Sequence, residues 1–191
     1  MTVTNKMNYY TDSWPLIVEM CPCDVHFTEF LEFKNINNAS IFHFGTGSHH
    51  HVGIRCSENG SKNAVLGITA SVEEEEAYVK LAIEQPKLSR SYKCFFGDIY
   101  MLEPRLLPTF DAVSLFHICE FWGPESAEYG AMTDLDLAEM FTDKLKPGGH
   151  LLFYTKSMAF EKAKAVIAAL KKTRHLKEVE EFKSLLVLQK T

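Results

Sequence analysis

The segment that follows the fourth apolar run carries side chains able to move a proton and to hold a flat molecule. His117 and Glu120 lie three residues apart, and Phe121 and Trp122 come directly after them. The ordinary pKa of an imidazole lies near neutrality, so His117 can accept a proton from a hydroxyl or an amine, and Glu120 can orient an amine. The aromatic pair, with Tyr129 on the next loop, predicts an apolar wall for a small molecule. The same residues also suit simple closure of the core at a strand end.

A second group of residues is typical of a ligand-binding turn. The sequence His43-Phe-Gly-Thr-Gly47 ends a short apolar run and is followed by three histidines, His49 to His51. Gly45 and Gly47 flank Thr46 and lack a Cβ, so the backbone can bend tightly and approach a ligand. Amides at the start of the next helix can face polar groups of that ligand. Three successive imidazoles point in different directions on a helix, so at most two of them face it.

A third group combines two thiols with an imidazole, in the sequence Cys21-Pro-Cys-Asp-Val-His26. Zinc sites favour Cys-x-x-Cys spacing and need a fourth ligand, which His49 or His50 would have to supply. We therefore predict half-buried thiols at a helix junction and no metal site. The five cysteines are odd in number and lack framework spacing, which indicates free thiols in a reducing, cytoplasmic compartment.

Alternating strands and helices must position these residues. Apolar runs predict seven strands, at 41–44, 64–69, 92–96, 110–117, 150–155, 175–182 and 183–190. Helix starts are predicted at Ser71, where Glu74 completes a capping box, and at Thr133 and Ser157. The last two strands have too short a connection for a parallel crossover, so they should pair antiparallel. The pattern predicts an α/β fold with a mostly parallel sheet and helices on both faces.

The length of 191 residues predicts a single domain. Residues 39–191 form its predicted core, and residues 1–38 form a short helical lead. In the lead, Ser13 and Asp24 are the expected N-caps of two helices, and Pro22 ends the first of them. This lead, or the loop at 123–132, is expected to act as a lid over the site.

Four motifs along this pattern carry a family resemblance. They are His43-Phe-Gly-Thr-Gly47, Gly67-Ile-Thr-Ala-Ser71, Gly97-Asp98 and Leu145-Lys-Pro-Gly-Gly-His-Leu-Leu-Phe153, in that order along the chain. With the terminal hairpin, they resemble the class I S-adenosylmethionine-dependent methyltransferase family over residues 41–190. The resemblance implies a Rossmann-like seven-stranded sheet with an antiparallel C-terminal hairpin. It also implies S-adenosyl-L-methionine as the cofactor and methyl transfer to a small-molecule acceptor.

The resemblance further implies a role for each candidate residue. By position in the family's motifs, the cofactor-binding residues are His43, Gly45, Thr46, Gly47, His49, Thr69 and Asp98. His117 and Glu120 are then the catalytic candidates, and Phe121, Trp122 and Tyr129 the substrate-binding ones. Open α/β sheets bind ligands at the carboxyl ends of their strands, so Gly45, Thr69, Asp98 and His117 are expected to border one pocket.

The sequence also departs from the family's pattern. The family has acidic residues where this chain has His43 and Thr69, and a glycine where it has His49. Glu73, four residues past Thr69, can either reach a ribose or stabilise the start of its helix. Loss of both acids favours an alternative function, a binding or partner module without cofactor-dependent catalysis. A third alternative, a nicotinamide-dinucleotide oxidoreductase, is disfavoured because the acidic run Glu73–Glu76 would repel a phosphorylated ribose.

Composition excludes some partners. The formal net charge of −5 disfavours a nucleic-acid surface, and no apolar run approaches the ~20 residues of a membrane span. We expect neither nucleic-acid nor membrane partners, and the sequence leaves oligomerisation open.

Overall fold

The computed structural model describes residues 9–173 and 176–191, and its centre is a seven-stranded mixed sheet. The strands are β1 (Ser40–Phe44), β2 (Ala64–Thr69), β3 (Tyr92–Phe96), β4 (Phe110–Leu115), β5 (Leu145–Tyr154), β6 (Leu176–Phe182) and β7 (Leu185–Lys190). Their order across the sheet is β3-β2-β1-β4-β5-β7-β6. Strands β1 to β5 pair in parallel, whereas β7 pairs antiparallel with both β5 and β6. The predicted sheet and C-terminal hairpin are confirmed; position 175 lies outside the described residues.

Helices cover both faces of the sheet. They are α1 (Cys23–Phe33), α2 (His51–Glu58), α3 (Val72–Glu84), α4 (Pro124–Glu128), α5 (Asp134–Lys144) and α6 (Phe160–Thr173). One face buries Phe42 against Phe141, with ring centroids 4.2 Å apart. The other buries Phe27 against Phe116, at 5.6 Å. Central strands that are buried on both faces have continuous apolar sequences, and this pattern allowed β1 and β4 to be predicted.

Helix starts follow the capping signals only in part. Thr133 and Asp136 form the full reciprocal capping box of α5. Ser71 caps α3 by accepting the Glu74 amide, but its own amide donates to the Thr69 hydroxyl instead of to Glu74. The predicted return half of that capping box is therefore wrong, and the Glu74 carboxylate is free to bond elsewhere.

The lead differs most from prediction. Residues 11–17 form no helix, so the helix expected from Ser13 is wrong, and only a turn forms before Cys21. Helix α1 starts at Cys23 with Pro22 in the N-cap position, and no side chain caps it. The predicted cap Asp24 is instead turned into the protein, where it is 3% exposed. The predicted loop at 123–132 contains the short helix α4.

Within the described part of the chain, the helices are too short or too polar to cross a lipid bilayer. All five cysteines are free thiols, as predicted.

Candidate functional site

The loop between β1 and α2 needs both of its glycines. Gly45 has φ +89° and Gly47 has φ +57°, a region that side-chain-bearing residues rarely adopt. A Cβ on Gly45 would lie 3.1 Å from Cδ2 of His117, and one on Gly47 would lie 2.7 Å from the carbonyl oxygen of Trp14. The backbone turns sharply here while two other segments press against it. The expected closeness of Gly45 and His117 is therefore confirmed.

Residues 9–20, which we call the strap, lie across the carboxyl ends of β1 and β2. Tyr10 forms a short parallel bridge, with its amide 2.7 Å from the Ala70 carbonyl and its carbonyl 3.2 Å from the Val72 amide. The Trp14 carbonyl accepts from the Ser48 amide at 3.0 Å. The strap thus satisfies backbone groups at the edge of the sheet where parallel α/β folds bind ligands.

Aromatic contacts extend the strap toward β4. The rings of Tyr10 and Trp14 pack edge-on against Phe121, with centroids 5.3 and 6.3 Å away. Phe121 also packs against Phe44 at the end of β1. Trp122 is half-buried beside the core, and its indole nitrogen is buried without a hydrogen-bond partner among the described residues. Of the predicted substrate-binding aromatics, Phe121 therefore lies against the strap, and Trp122 packs against the core beside it.

The end of β2 carries a buried carboxylate that the sequence did not assign. Thr69 donates its hydroxyl hydrogen bond to Oε2 of Glu74 over 2.6 Å, and the Trp14 amide donates to Oε1 over 3.3 Å. Burial raises the pKa of Glu74, against the lowering effect of these hydrogen bonds. Glu73, the residue predicted to compensate for Thr69, points to the strap and accepts from the Ser13 hydroxyl. The acidic group beside Thr69 is Glu74.

A buried carboxylate also lies at the end of β1, but here helix α1 supplies it. His43 is 1% exposed and pairs through Nδ1 with the Ser114 hydroxyl at 2.7 Å. Its Nε2 lies 3.4 Å from Oδ2 of Asp24, which helix α1 brings in, and Nε2 of His49 lies 3.8 Å from the same oxygen. The alignment with His43 is not that of a hydrogen bond, so both Asp24 Oδ2 and His43 Nε2 are buried without a hydrogen-bond partner among the described residues.

Neighbouring imidazoles stabilise the ionised form of Asp24. Burial alone would raise its pKa, but His43, His49 and His117 together bring that pKa below its ordinary value. A carboxylate buried beside imidazoles is a strong local source of negative potential.

The three successive histidines do point three ways, as predicted. His49 faces Asp24 and the glycine loop. His50 is buried, with Nδ1 2.7 Å from the Tyr92 hydroxyl and Nε2 2.8 Å from the Glu74 carbonyl. His51 lies 3.3 Å from the Thr28 hydroxyl. His49 is the one that lies by the candidate site.

The end of β4 brings His117 to the two thiols of the Cys-Pro-Cys segment. Nδ1 of His117 lies 3.1 Å from Oε1 of Glu120, and Nε2 lies 4.0 Å from Sγ of Cys23. The Sγ atoms of Cys21 and Cys23 are 3.4 Å apart. The sequence offers His49 or His50 as a partner for these thiols, but in the fold their partner is His117.

The protonation of this group bears on its chemistry. The hydrogen bond from Cys23, together with the interactions with His117, lowers the pKa of Cys21 to about 4 against the effect of burial. Burial would lower the pKa of His117, but its bonds to Cys21 and Glu120 raise it to about 10. These opposite shifts favour a thiolate on Cys21 beside a protonated His117, and a protonated imidazole is a poor general base.

Asp98 and Thr46 complete the predicted set. Asp98 follows β3, accepts the Tyr100 amide through Oδ1, and accepts the Tyr129 hydroxyl through Oδ2 at 3.1 Å. Thr46 is fully buried, with its hydroxyl 3.9 Å from Sγ of Cys94. Tyr129, predicted to bind substrate, thus contacts a predicted cofactor-binding residue.

Sequence reasoning missed two members of this site. Asp24 looked like a helix cap, and Glu74 looked like part of a capping box, because both fit local rules. Glu74 carried a weak signal, since it follows the predicted second strand, whose carboxyl end lies at the ligand-binding edge of such sheets. Asp24 carried none, because the helix predicted before it does not form. Only the packing of α1 and α3 reveals their direction.

No family model and no curated protein matches the sequence. Several solved structures are similar in fold. One is a candidate S-adenosyl-L-methionine-dependent methyltransferase from Methanococcus maripaludis, with 11% identity, a TM-score of 0.64, and coverage of 90% of this chain and 86% of that one. Another is the N-methyltransferase NodS from Bradyrhizobium japonicum in complex with S-adenosyl-L-homocysteine, with 13% identity, a TM-score of 0.56, and coverage of 87% and 84%.

A third similar structure is the [4+2]-cyclase SpnF, with 16% identity, a TM-score of 0.60, and coverage of 91% of this chain and 64% of that one. Together these likenesses show that the chain has the Rossmann-like fold of class I S-adenosylmethionine-dependent methyltransferases. At identities this low they establish the fold, and function has to be argued from the site.

Proposed function

We propose that the protein binds S-adenosyl-L-methionine at the carboxyl ends of β1, β2 and β3 and transfers its methyl group to a small-molecule acceptor. One observation carries the proposal. Each of these three strand ends has a carboxylate, from Asp24, Glu74 and Asp98, although the sequence keeps only the last at its expected position. The fold, and the methyltransferase structures that share it, support the same proposal.

The residues present fit the cofactor's charge pattern. The unpartnered Oδ2 of Asp24 suits an ammonium, which needs a buried acceptor with negative charge. Glu74 lies beside Thr69 and suits ribose hydroxyls. Asp98, after β3, suits an exocyclic amine. The glycine loop and the start of α2 supply the close backbone approach for a carboxylate. S-adenosyl-L-methionine supplies a methyl group on a good leaving group when bound.

In this proposal the strap acts as the lid. Glu74 Oε1 accepts from the Trp14 amide, so the strap must shift for a ribose to bond there. Phe121, Trp122 and Tyr10 then enclose the acceptor and exclude water from it. His117 holds its proton at neutral pH, so in the metal-free protein it donates to or orients the acceptor and does not deprotonate it.

A pair of adjacent glutamates gives a sharp test. Binding of S-adenosyl-L-methionine and of S-adenosyl-L-homocysteine is measured by titration calorimetry for wild type, Glu74→Gln and Glu73→Gln. Loss of a charged hydrogen-bond partner costs about 1.5–3 kcal/mol, so Glu74→Gln should weaken binding about 10- to 100-fold. Glu73 accepts its hydrogen bond from Ser13 of the strap, and Glu73→Gln should change affinity less than about twofold.

Two results would contradict the proposal. Equal effects of the two substitutions would remove Glu74 from the ribose site. Absence of binding of either compound at about 1 mM in wild type would favour the second candidate, a binding module without cofactor-dependent catalysis. One observation favours that candidate, namely that the strap already bonds to the backbone groups at the ends of β1 and β2.

A further inference from the structure

Three side chains with metal-ligand atoms converge at the junction of the strap and α1. Sγ of Cys21, Sγ of Cys23 and Nε2 of His117 all lie within 4.8 Å of one another. They come from two distant parts of the chain, the residues before and at the start of α1 and the residues after β4. In a tetrahedral zinc site, sulfur and nitrogen ligands at about 2.0–2.3 Å from the metal lie roughly 3.6–3.8 Å apart. The observed 3.4 Å between the sulfurs and 4.0 Å between Cys23 and His117 differ from this by only a few tenths of an ångström.

The imidazole is held as metal-binding imidazoles usually are. Nδ1 of His117 bonds to Glu120, whose carboxylate also accepts a hydrogen bond from the Ser157 hydroxyl. A carboxylate on one ring nitrogen fixes the ring orientation and leaves the other nitrogen for a metal. Here the nitrogen left over is the one that faces the thiols.

A buried carboxylate lies directly beside the cluster. Asp24 follows Cys23 directly, and its Oδ1 lies 3.5 Å from the Cys23 sulfur. Its Oδ2 is buried with no hydrogen-bond partner among the described residues. A buried carboxylate is costly unless a cation or donors satisfy it. Here the neighbouring imidazoles of His43, His49 and His117 provide that compensation, and Asp24 adds negative charge at the edge of the cluster.

We propose that Cys21, Cys23 and His117 bind one Zn²⁺ ion, with the fourth coordination position open to water or to a ligand molecule. Two thiolates and an imidazole form a soft ligand set that selects zinc over magnesium or calcium. Zinc binding displaces the Cys23 thiol proton and the proton on Nε2 of His117, and both go to solvent. Three protein ligands with an open fourth position is the pattern of zinc sites that act on a molecule.

The proposal is independent of methyl transfer, because its test needs no S-adenosyl-L-methionine. Untagged protein is purified under reducing conditions, stripped with a chelator and titrated with Zn²⁺ and, separately, with Co²⁺. We expect one zinc per chain by elemental analysis. We also expect Co²⁺ to give thiolate-to-metal charge-transfer absorption together with the visible bands of a tetrahedral site.

Variants assign the ligands. Cys21→Ser and Cys23→Ser should each abolish the charge-transfer band of one thiolate. Each should also lower zinc affinity at least as much as Glu120→Gln does. Glu120→Gln should weaken zinc binding about 10- to 100-fold while keeping both thiolate bands, as expected for a residue that positions the imidazole. Cys56→Ser is the matched control, a buried thiol in α2 outside the cluster, and should leave zinc binding unchanged.

Misfolding is controlled by comparing metal-free proteins. The circular dichroism and melting of metal-free Cys21→Ser should match those of metal-free wild type.

Three results would overturn the proposal. The first is that folded, reduced wild type binds less than about a tenth of an equivalent of zinc. The second is a Co²⁺ spectrum without thiolate bands. The third is that Cys21→Ser binds zinc as tightly as wild type does. Rapid oxidation to a Cys21–Cys23 disulfide that zinc does not slow would likewise assign the thiols to redox chemistry instead.

Discussion

Two neighbouring strand ends each bury a carboxylate, and the two carboxylates are stabilised in different ways. At the end of β2, Glu74 is buried and both of its oxygens accept hydrogen bonds, from Thr69 and from the Trp14 amide. At the end of β1, Asp24 is equally buried, yet its Oδ2 has no hydrogen-bond partner among the described residues. A satisfied buried carboxylate stabilises the fold that surrounds it, whereas an unsatisfied one is tolerated where a ligand completes it. The comparison separates a carboxylate whose two oxygens both accept hydrogen bonds from one that is stabilised mainly by nearby imidazoles.

The largest expected effect is at Glu74. Glu74→Ala leaves the buried Thr69 hydroxyl and the Trp14 amide without their acceptor and opens a cavity, so we expect a loss of about 3 kcal/mol in the free energy of unfolding. Glu73→Ala removes one exposed contact and should cost less than about 0.5 kcal/mol. Urea unfolding at neutral pH measures both. Similar losses for the two variants would mean that Glu74 is not satisfied as described.

The next largest effect is a pH dependence of the unfolding free energy that comes from His50, whose ring contacts the Glu74 carbonyl. Burial lowers the pKa of His50 to about 4, while its bond to the Glu74 carbonyl opposes that shift. The folded chain therefore stays unprotonated where the unfolded chain takes up a proton at its ordinary pKa of about 6.5. This contribution is complete above about pH 6.5 and is lost as the pH falls toward 4.

The groups facing His50 are the hydroxyl of Tyr92, the ring of Tyr78 and, at longer range, His49, His43 and Asp24. Between pH 7.5 and 5, wild type should lose about 2 kcal/mol more unfolding free energy than His50→Asn, a residue that tolerates the left-handed backbone found there. Parallel urea titrations of the two proteins give the difference. Identical pH profiles would show that another group carries the dependence.

The smallest effect is at Asp24, and it sharpens the comparison most. Asp24→Asn removes a buried charge together with its attraction to His43, His49 and His117, and these contributions oppose one another. In metal-free protein we expect a change of less than about 1 kcal/mol in unfolding free energy. Calorimetric or urea unfolding beside Glu74→Gln checks this. A greater loss for Asp24→Asn than for Glu74→Gln would reverse the assignment of the two strand ends.

The sheet was predictable because its order follows from apolar runs and short connections. The glycine loop and the nearness of Gly45 to His117 were predictable for the same reason, since both follow parallel strands that end at one edge. Asp24 and Glu74 were not predictable, because a local cap rule explains each acid equally well and only helix packing turns them inward. The strap escaped prediction because Ser13 and Pro15 fit a helix start, whereas its bonds to Ala70 and Ser48 are nonlocal.

Packing of the strap against Phe121 has a practical consequence. The chain has two tryptophans, and Trp14 is in the strap while Trp122 follows Phe121 directly. Any displacement of the strap changes the surroundings of Trp14 without the need for an attached dye. If the strap opens as proposed, intrinsic fluorescence of the unlabelled protein will report it, and a Trp122→Phe variant isolates the signal of Trp14.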